Sequence, residues 1–113
     1  MNQLTIIGNL TRDPETREVK SGDNVTTFTV AVNRNQEDAD FFRVSVWGNM
    51  GDNCAKYLEK GKKVAVVGSV SAHAYEDKDG NPAASLEVSA VRVEFLSPSE
   101  QKSSRNNVRN NRR

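Results

Sequence analysis

Between residues 4 and 96, apolar and polar side chains alternate with a period of two, and that alternation gives way to a helical period only once. A period of two sends successive side chains to opposite faces of a strand, so a chain written this way must bury one face of a sheet. Leu4 to Leu10 is rich in β-formers and starts the pattern. Thr16 to Lys20 reads as a short strand after Asp13-Pro14, and Ser21-Gly22-Asp23-Asn24 closes it as a turn. Val25 to Asn33 alternates cleanly, with Phe28, Val30 and Val32 on one face. Arg34 to Ala39 is a polar loop, and Asp40 to Trp47 is the next strand.

The break falls between Asp52 and Lys60. Asp52 or Asn53 can cap a helix there, Cys54, Tyr57 and Leu58 fall at i, i+3 and i+4, and Gly61 stands at the usual stop position. Lys63 to His73 resumes the strand pattern with Gly68 inside it, and Asp77 to Pro82 is a hairpin loop. Ala84 to Leu96 is the last strand, and its phase slips between Val88 and Val91. Gly68 and the slipped phase each predict a bulge or bend. An all-β chain with bent strands and one short helix between the third and fourth long strands suits an OB-fold, a five-stranded closed barrel. A sandwich or an SH3-like barrel offers no obvious place for that helix.

At 113 residues the chain has room for one domain, read as residues 1–96. From Ser97 onward the only large apolar residue is Val108, so residues 97–113 read as a disordered basic tail. The formal net charge of +1 conceals an uneven distribution. Lys102, Arg105, Arg109, Arg112 and Arg113 give residues 101–113 a charge of +5, which leaves residues 1–100 at −4. Bulk charge does not favour nucleic-acid binding by the globular part, so such binding has to rest on local patches and stacking. The single cysteine, Cys54, excludes an internal disulfide and a multi-cysteine metal site. There is no run of 18 apolar residues and no basic-then-apolar leader, so the expectation is a soluble intracellular protein without a membrane partner.

The strand from Asp40 to Trp47 is the most informative segment. Phe42, Val44 and Val46 form an ordinary core face, while the opposite face carries Phe41, Arg43, Ser45 and Trp47. A core would bury Arg43 and Ser45 among aromatics, and a plain solvent face has no use for two large rings. Aromatics interleaved with arginine on an open sheet suit stacking on bases, with the cation reaching phosphate. The same pattern fits rings that cover a barrel end or a subunit interface. Tyr75 is a third aromatic that can face solvent, or else a packing residue at a strand end. Arg34, Lys60, Lys62 and Lys63 are candidate phosphate contacts, and equally ordinary occupants of a loop and a helix C-terminus.

Catalytic arrangements fail on the same reading. His73 has no partner histidine or cysteine, which leaves no Ser/His/Asp arrangement to propose and makes a surface or edge position the expectation. Gly61-Lys62-Lys63 lacks the upstream glycine and the Ser/Thr of a P-loop. Asp77-x-Asp79-Gly80 places its glycine too early for a calcium loop and lacks the bidentate Glu. No enzyme activity, cofactor or metal is expected.

Over residues 1–96 the chain resembles the bacterial single-stranded DNA-binding proteins. The blocks that carry the likeness are Ile6 to Glu15, Phe28 to Arg34, Asp40 to Gly48 and Asn53 to Lys62, followed by Tyr75-Glu76-Asp77. The resemblance implies an OB barrel that assembles as a homotetramer and wraps single-stranded DNA in replication, recombination and repair, in the cytoplasm with the nucleoid. It implies base stacking by Phe41, Trp47 and Tyr75. Arg34, Arg43 and Lys60 match basic positions on the DNA path, to which Arg12 and Arg17 are added. Phe42 matches a position of subunit contact, so a core role and an interface role both stand, and the first strand from Asn2 to Ile7 is expected to pair across a dimer axis.

Two departures qualify this likeness. Val70-Ser71-Ala72-His73-Ala74 stands where relatives often carry arginines, which weakens that stretch of the path. The chain also ends Asn-Asn-Val-Arg-Asn-Asn-Arg-Arg, without the acidic tip and terminal Pro-Phe that recruit replication and repair enzymes in the family. A shortened form, or a mobile-element or paralogous form, is expected, and such enzymes stay open as partners. The competing functions are a primosome-type accessory protein, an RNA-binding or protein-interaction module, and an OB-fold nuclease, which needs clustered carboxylates around a metal.

Overall fold

The computed structural model describes residues 1–97. Six strands and one helix follow in order: β1 (Leu4–Leu10), β2 (Glu15–Glu18), β3 (Asn24–Asn33), β4 (Ala39–Trp47), α1 (Gly48–Tyr57), β5 (Lys63–Glu76) and β6 (Pro82–Phe95). The strands lie in the order β1-β5-β6-β4-β3-β2, and β1 also pairs with β3. That extra pairing closes a ring of five strands, with β2 attached outside it as the far neighbour of β3. The helix follows the third ring strand and precedes the fourth, as the OB-fold reading requires. The expected tail, beyond Ser97, lies outside the described residues.

Alternation decides what the ring encloses. Phe28 and Val30 from β3, Val44 and Val46 from β4, Val64 and Val66 from β5 and Val88 from β6 all point inward with Ile6 and Leu10. Cys54 and Leu58 close one end of this core. Thr26 is the one buried polar side chain among the described residues, and its hydroxyl is satisfied by Thr16 Oγ1 at 2.7 Å. Phe42 is half-buried against the core, which supports the core role.

The helix runs from Gly48 to Tyr57, four residues earlier than the expected Asp52 start, and neither Asp52 nor Asn53 caps it. Trp47 occupies the cap position without a side-chain cap bond. The first turn, Gly48-Asn49-Met50-Gly51, has poor intrinsic helix propensity and is held by tertiary contact. A Cβ at Gly51 would collide with the Val46 carbonyl oxygen, so the glycine lets the helix backbone lie directly on the end of β4. At the other end Leu58 is already extended, its N–H donating to the Cys54 carbonyl at 2.9 Å. Gly61 does not stop the helix. It sits in the following turn, where Lys62 N–H donates to the Glu59 carbonyl at 3.0 Å.

The two expected bulges are one irregularity. Across β5 and β6, Val67 pairs with Arg92 but Gly68 pairs with Ala90, so Val91 is the extra residue on β6. A side chain at position 68 would strike the Ser89 carbonyl oxygen. Beyond the bulge both strands run further than expected, β5 to Glu76 and β6 from Pro82, as a two-stranded arm. Asp77 Oδ1 ties the arm's turn by accepting from the N–H groups of Asp79 and Asn81, each at 2.9 Å. The short second strand is Glu15–Glu18 rather than Thr16 to Lys20, because Val19 and Gly22 bond within the turn that follows.

Gly68→Ala is expected to destabilise the protein by about 1–3 kcal/mol in urea denaturation, since the new methyl group meets backbone that cannot rotate away. Burial pushes the Cys54 thiol up from 9.0 to about 11. Because the folded value is raised, the thiol contributes fully below pH 9 and that contribution is lost as pH rises through about 11. Between about pH 8 and about pH 10.5 the wild type is expected to lose up to about 2 kcal/mol more stability than Cys54→Ala.

Candidate nucleic-acid interface

The side chains that alternation sends outward from β3, β4, β6 and β5 form one continuous surface. On β4 these are Phe41, Arg43, Ser45 and Trp47, and on β3 their register partners are Ala31, Thr29, Thr27 and Val25. The parallel neighbour β6 places Glu87 beside Arg43 and Ser89 beside Ser45. β5 continues each row, with Ser69 next to Ser89, Ser71 next to Glu87, His73 next to Ser85 and Tyr75 next to Ala83. Phe41, Trp47 and Tyr75 are exposed to 57%, 48% and 53% respectively, so the rings are available rather than packed away.

Three concavities divide this surface. The largest, about 460 Å³, is lined by Phe41, Arg43 and Tyr75 together with Thr29, Asp40 and Ser85. It joins two aromatics from strands distant in sequence to the cation that the alternation of β4 sets between Phe41 and Trp47. A second, about 130 Å³, brings Arg12 to Arg43 with Asp13, Thr27 and Thr29. The third, about 320 Å³, lies beside Trp47 and is lined by Ser45, Ser69, Ser71, His73 and Glu87. His73 is exposed on this surface and shares a 3.2 Å hydrogen bond with Ser71 Oγ.

The remaining cations sit around the edges. The Lys60 N–H donates to Asp13 Oδ1 at 2.9 Å, which ties its loop to the turn bearing Arg12. Gly61 N–H donates to the Leu10 carbonyl at 2.9 Å and Asn9 Nδ2 to the Gly61 carbonyl at 3.0 Å, fixing the same loop to the end of β1. Arg34 is exposed but occupied, its Nε 3.1 Å from Asp40 Oδ1. Exposed ion pairs of this kind exchange readily with other partners because they contribute little. Arg17 lies on β2 opposite Val25, whose other register neighbour is Trp47. Val25 is 4% exposed although it stands apart from the core cluster, so the register neighbour of Trp47 on β3 is a covered apolar residue.

The surface thus unites Phe41, Arg43 and Tyr75 around one concavity, Arg12 and Arg43 around another, and Trp47 with a serine-rich floor around a third. Arg34, Lys60 and Arg17 stay at its margins. Of this floor, Ser45 and Ser71 fall in segments named from sequence, whereas Ser69, Glu87 and Ser89 were not singled out. Its signal is the polar alternation at 85, 87 and 89 against Leu86, Val88 and Ala90, which the shifted phase after Val91 obscures. Among the described residues no group of three or more His, Cys, Asp or Glu side chains could hold a metal ion, and no helix is long and apolar enough to cross a membrane.

Comparison with known proteins identifies the family. Residues 1–96 match the family model described as the single-strand binding protein family. Single-stranded DNA-binding protein 2 of Listeria innocua is 41% identical over 104 residues, which cover 87% of this chain and 65% of that protein. The chain thus spans slightly under two thirds of that relative's length. Single-stranded DNA-binding protein 1 of Clostridium acetobutylicum is 38% identical over 85% of this chain and 94% of its own length. Single-stranded DNA-binding protein 1 of Staphylococcus aureus strain Mu50 is 39% identical over 87% of this chain and 67% of its own. With the closed barrel and a family match over nearly all of its described residues, the chain belongs to the single-strand binding protein family.

Proposed function

We propose that the chain binds single-stranded DNA whatever its sequence through the outer surface of β3, β4, β6 and β5, as a non-catalytic protein of replication, recombination and repair. The observation that carries this reading is the concavity shared by Phe41, Arg43 and Tyr75, two exposed rings with a guanidinium between strands. Every base has a π face, so stacking on Phe41, Trp47 and Tyr75 is tolerant of sequence, at about 1–3 kcal/mol per base. Arg43 and Arg12 contact phosphates alongside the rings, with Lys60, Arg17 and Arg34 extending the path at its margins. The names of the relatives support the same ligand.

The chain acts as a homo-oligomer, a tetramer in this reading. β1 pairs with β5 from Leu4 to Asn9 but meets β3 only at Asn9 and Leu10, so the rest of its other edge is unpaired among the described residues. Ile7 is 51% exposed on the same strand and lies next to Ala65 of β5. An open edge flanked by an exposed apolar side chain suits pairing with a second copy. Several copies of a short cationic path can then hold one strand although each barrel is net acidic.

Trp47 is the only tryptophan, so its fluorescence reports directly on the surface. Titration with oligo-dT is expected to quench it, and duplex of equal length is expected to compete poorly. Phe41→Ala is expected to weaken oligo-dT binding by about tenfold, as loss of one stacked base implies. Arg43→Ala is expected to lower the slope of log K against log salt by about 0.7. An absence of quenching, or equal affinity for duplex, removes the proposal. Ile7→Glu is expected to reduce the oligomeric mass in sedimentation without abolishing the quench. An unchanged mass places assembly on another face.

A further inference from the structure

We infer that Glu87 is a base-reading acceptor that gives this surface a preference for guanine, superimposed on its general affinity for single strands. The inference rests on the single-stranded DNA reading above and concerns what the floor of that site selects. Glu87 is half-buried and stands at the centre of the surface, with Arg43 beside it on β4 and Ser71 beside it on β5. It lines the concavity next to Trp47, where a base stacked on the indole would present its edge to the floor.

Asp40, Asp13 and Glu15 line the other two concavities, and Glu87 is the carboxylate that lines the one beside Trp47. It would repel phosphate, and it is not neutralised in place. The ion pairs formed among the described residues are Arg34–Asp40 and Arg92–Glu94, so Arg43 does not pair with Glu87 despite being its register neighbour. The one side-chain bond Glu87 receives among these residues is a long one, from Ser85 Oγ at 3.4 Å. Arg43 stands beside it on β4, and the polar residues that share the concavity of Glu87 are Asn2, His73 and the hydroxyls of Ser45, Ser69, Ser71 and Ser89. In the single-stranded DNA reading the sugar-phosphate chain meets Arg43 and Arg12, whose shared concavity also holds Asp13 and Glu15. Base edges then meet the serine floor and the carboxylate.

An acceptor-only group with two oxygens selects among base edges by counting donors. In single strands the Watson–Crick edges are free to be read. Guanine alone offers two adjacent donors there, N1–H and the 2-amino group, spaced to meet both carboxylate oxygens. Adenine and cytosine set one amino donor next to a ring acceptor. Thymine sets one N–H between two carbonyl oxygens, which would face the carboxylate unfavourably. Charge-assisted bonds are the strong ones, and a carboxylate covered by a base that cannot pair with it loses its water without compensation.

Three labelled oligonucleotides of equal length test the inference by fluorescence anisotropy in lithium buffer, which suppresses guanine quadruplexes. One is all thymidine, one alternates thymidine with deoxyguanosine, and one alternates thymidine with deoxyinosine. Deoxyinosine stacks as a purine but lacks the 2-amino donor, so stacking strength and edge recognition separate. The wild type is expected to bind the guanine oligomer at least about fivefold more tightly than the inosine oligomer. In Glu87→Gln that ratio is expected to fall to about one, while affinity for thymidine holds or rises with the loss of a negative charge. Equal wild-type affinities for the guanine and inosine oligomers overturn the inference while leaving the single-stranded DNA reading in place, and so does a ratio that survives in Glu87→Gln. Failure to bind any of the three overturns both. The wild-type ratio decides the matter even if the variant does not fold.

Discussion

The ring closes on two residue pairs. Asn9 with Ala31 and Leu10 with Val30 are the register pairs that join β1 to β3, and they convert a curled sheet into a closed one. Their approach is close enough that a Cβ on Gly8 would run into the Ala31 carbonyl oxygen and the Val30 side chain. Leu10 and Val30 are themselves in the core, so closure and core formation are the same event. The chain leaving β1 is then fastened by Asn9 and Leu10 to the Gly61 loop and by Asp13 to Lys60. The segments that bear two of the proposed phosphate contacts, Arg12 and Lys60, are thus tied to each other at Asp13.

Closure also explains why one surface can be so dissimilar to the other without cost to the fold. Each strand gives alternate residues to the inside, and the inside is filled by valines, Phe28, Leu10 and Leu58. What the outward positions carry is then almost free of packing constraint. Phe41, Trp47 and Tyr75 stay exposed because the core has no need of them, and Arg43 can stand between rings because nothing has to close over it. In the proposed reading, strands of the closed barrel carry the three stacking rings. Arg43 and Arg17 stand on strands, while Arg12, Arg34 and Lys60 stand in the loops between them.

The strand pattern was legible because both faces of β3 and β4 obey one period throughout, from Phe28 to Val32 and from Phe42 to Val46. The aromatic face of β4 was legible for the same reason. The helix was misplaced because its first turn has no local signature. Gly48, Asn49 and Gly51 are poor helix residues, and what holds them is the close approach to Val46, a contact between segments that no cap or period announces. Tyr75 could be named but not placed, since its meeting with Phe41 and Arg43 depends on β6 lying parallel to β4 between them. Glu87 stayed invisible because the strand that bears it changes phase four residues later.

That change of phase has a consequence for how the chain can vary. Before Val91, the odd-numbered residues of β6 face outward, and Glu87 and Ser89 belong to the floor beside Trp47. After it the parity reverses, so Val93 and Phe95 pack on the core while Arg92 and Glu94 pair at the surface. Val91 itself is largely exposed and touches the parity of everything downstream while contributing little packing of its own. Its side chain is therefore among the most replaceable in the strand and its presence among the least. Exchange of the residue leaves the reading frame of inside and outside intact. Deletion would join Ala90 directly to Arg92, which leaves Arg92 outward and Val93 inward but removes the bulge opposite Gly68, so the strand would keep its two surfaces and lose its bend.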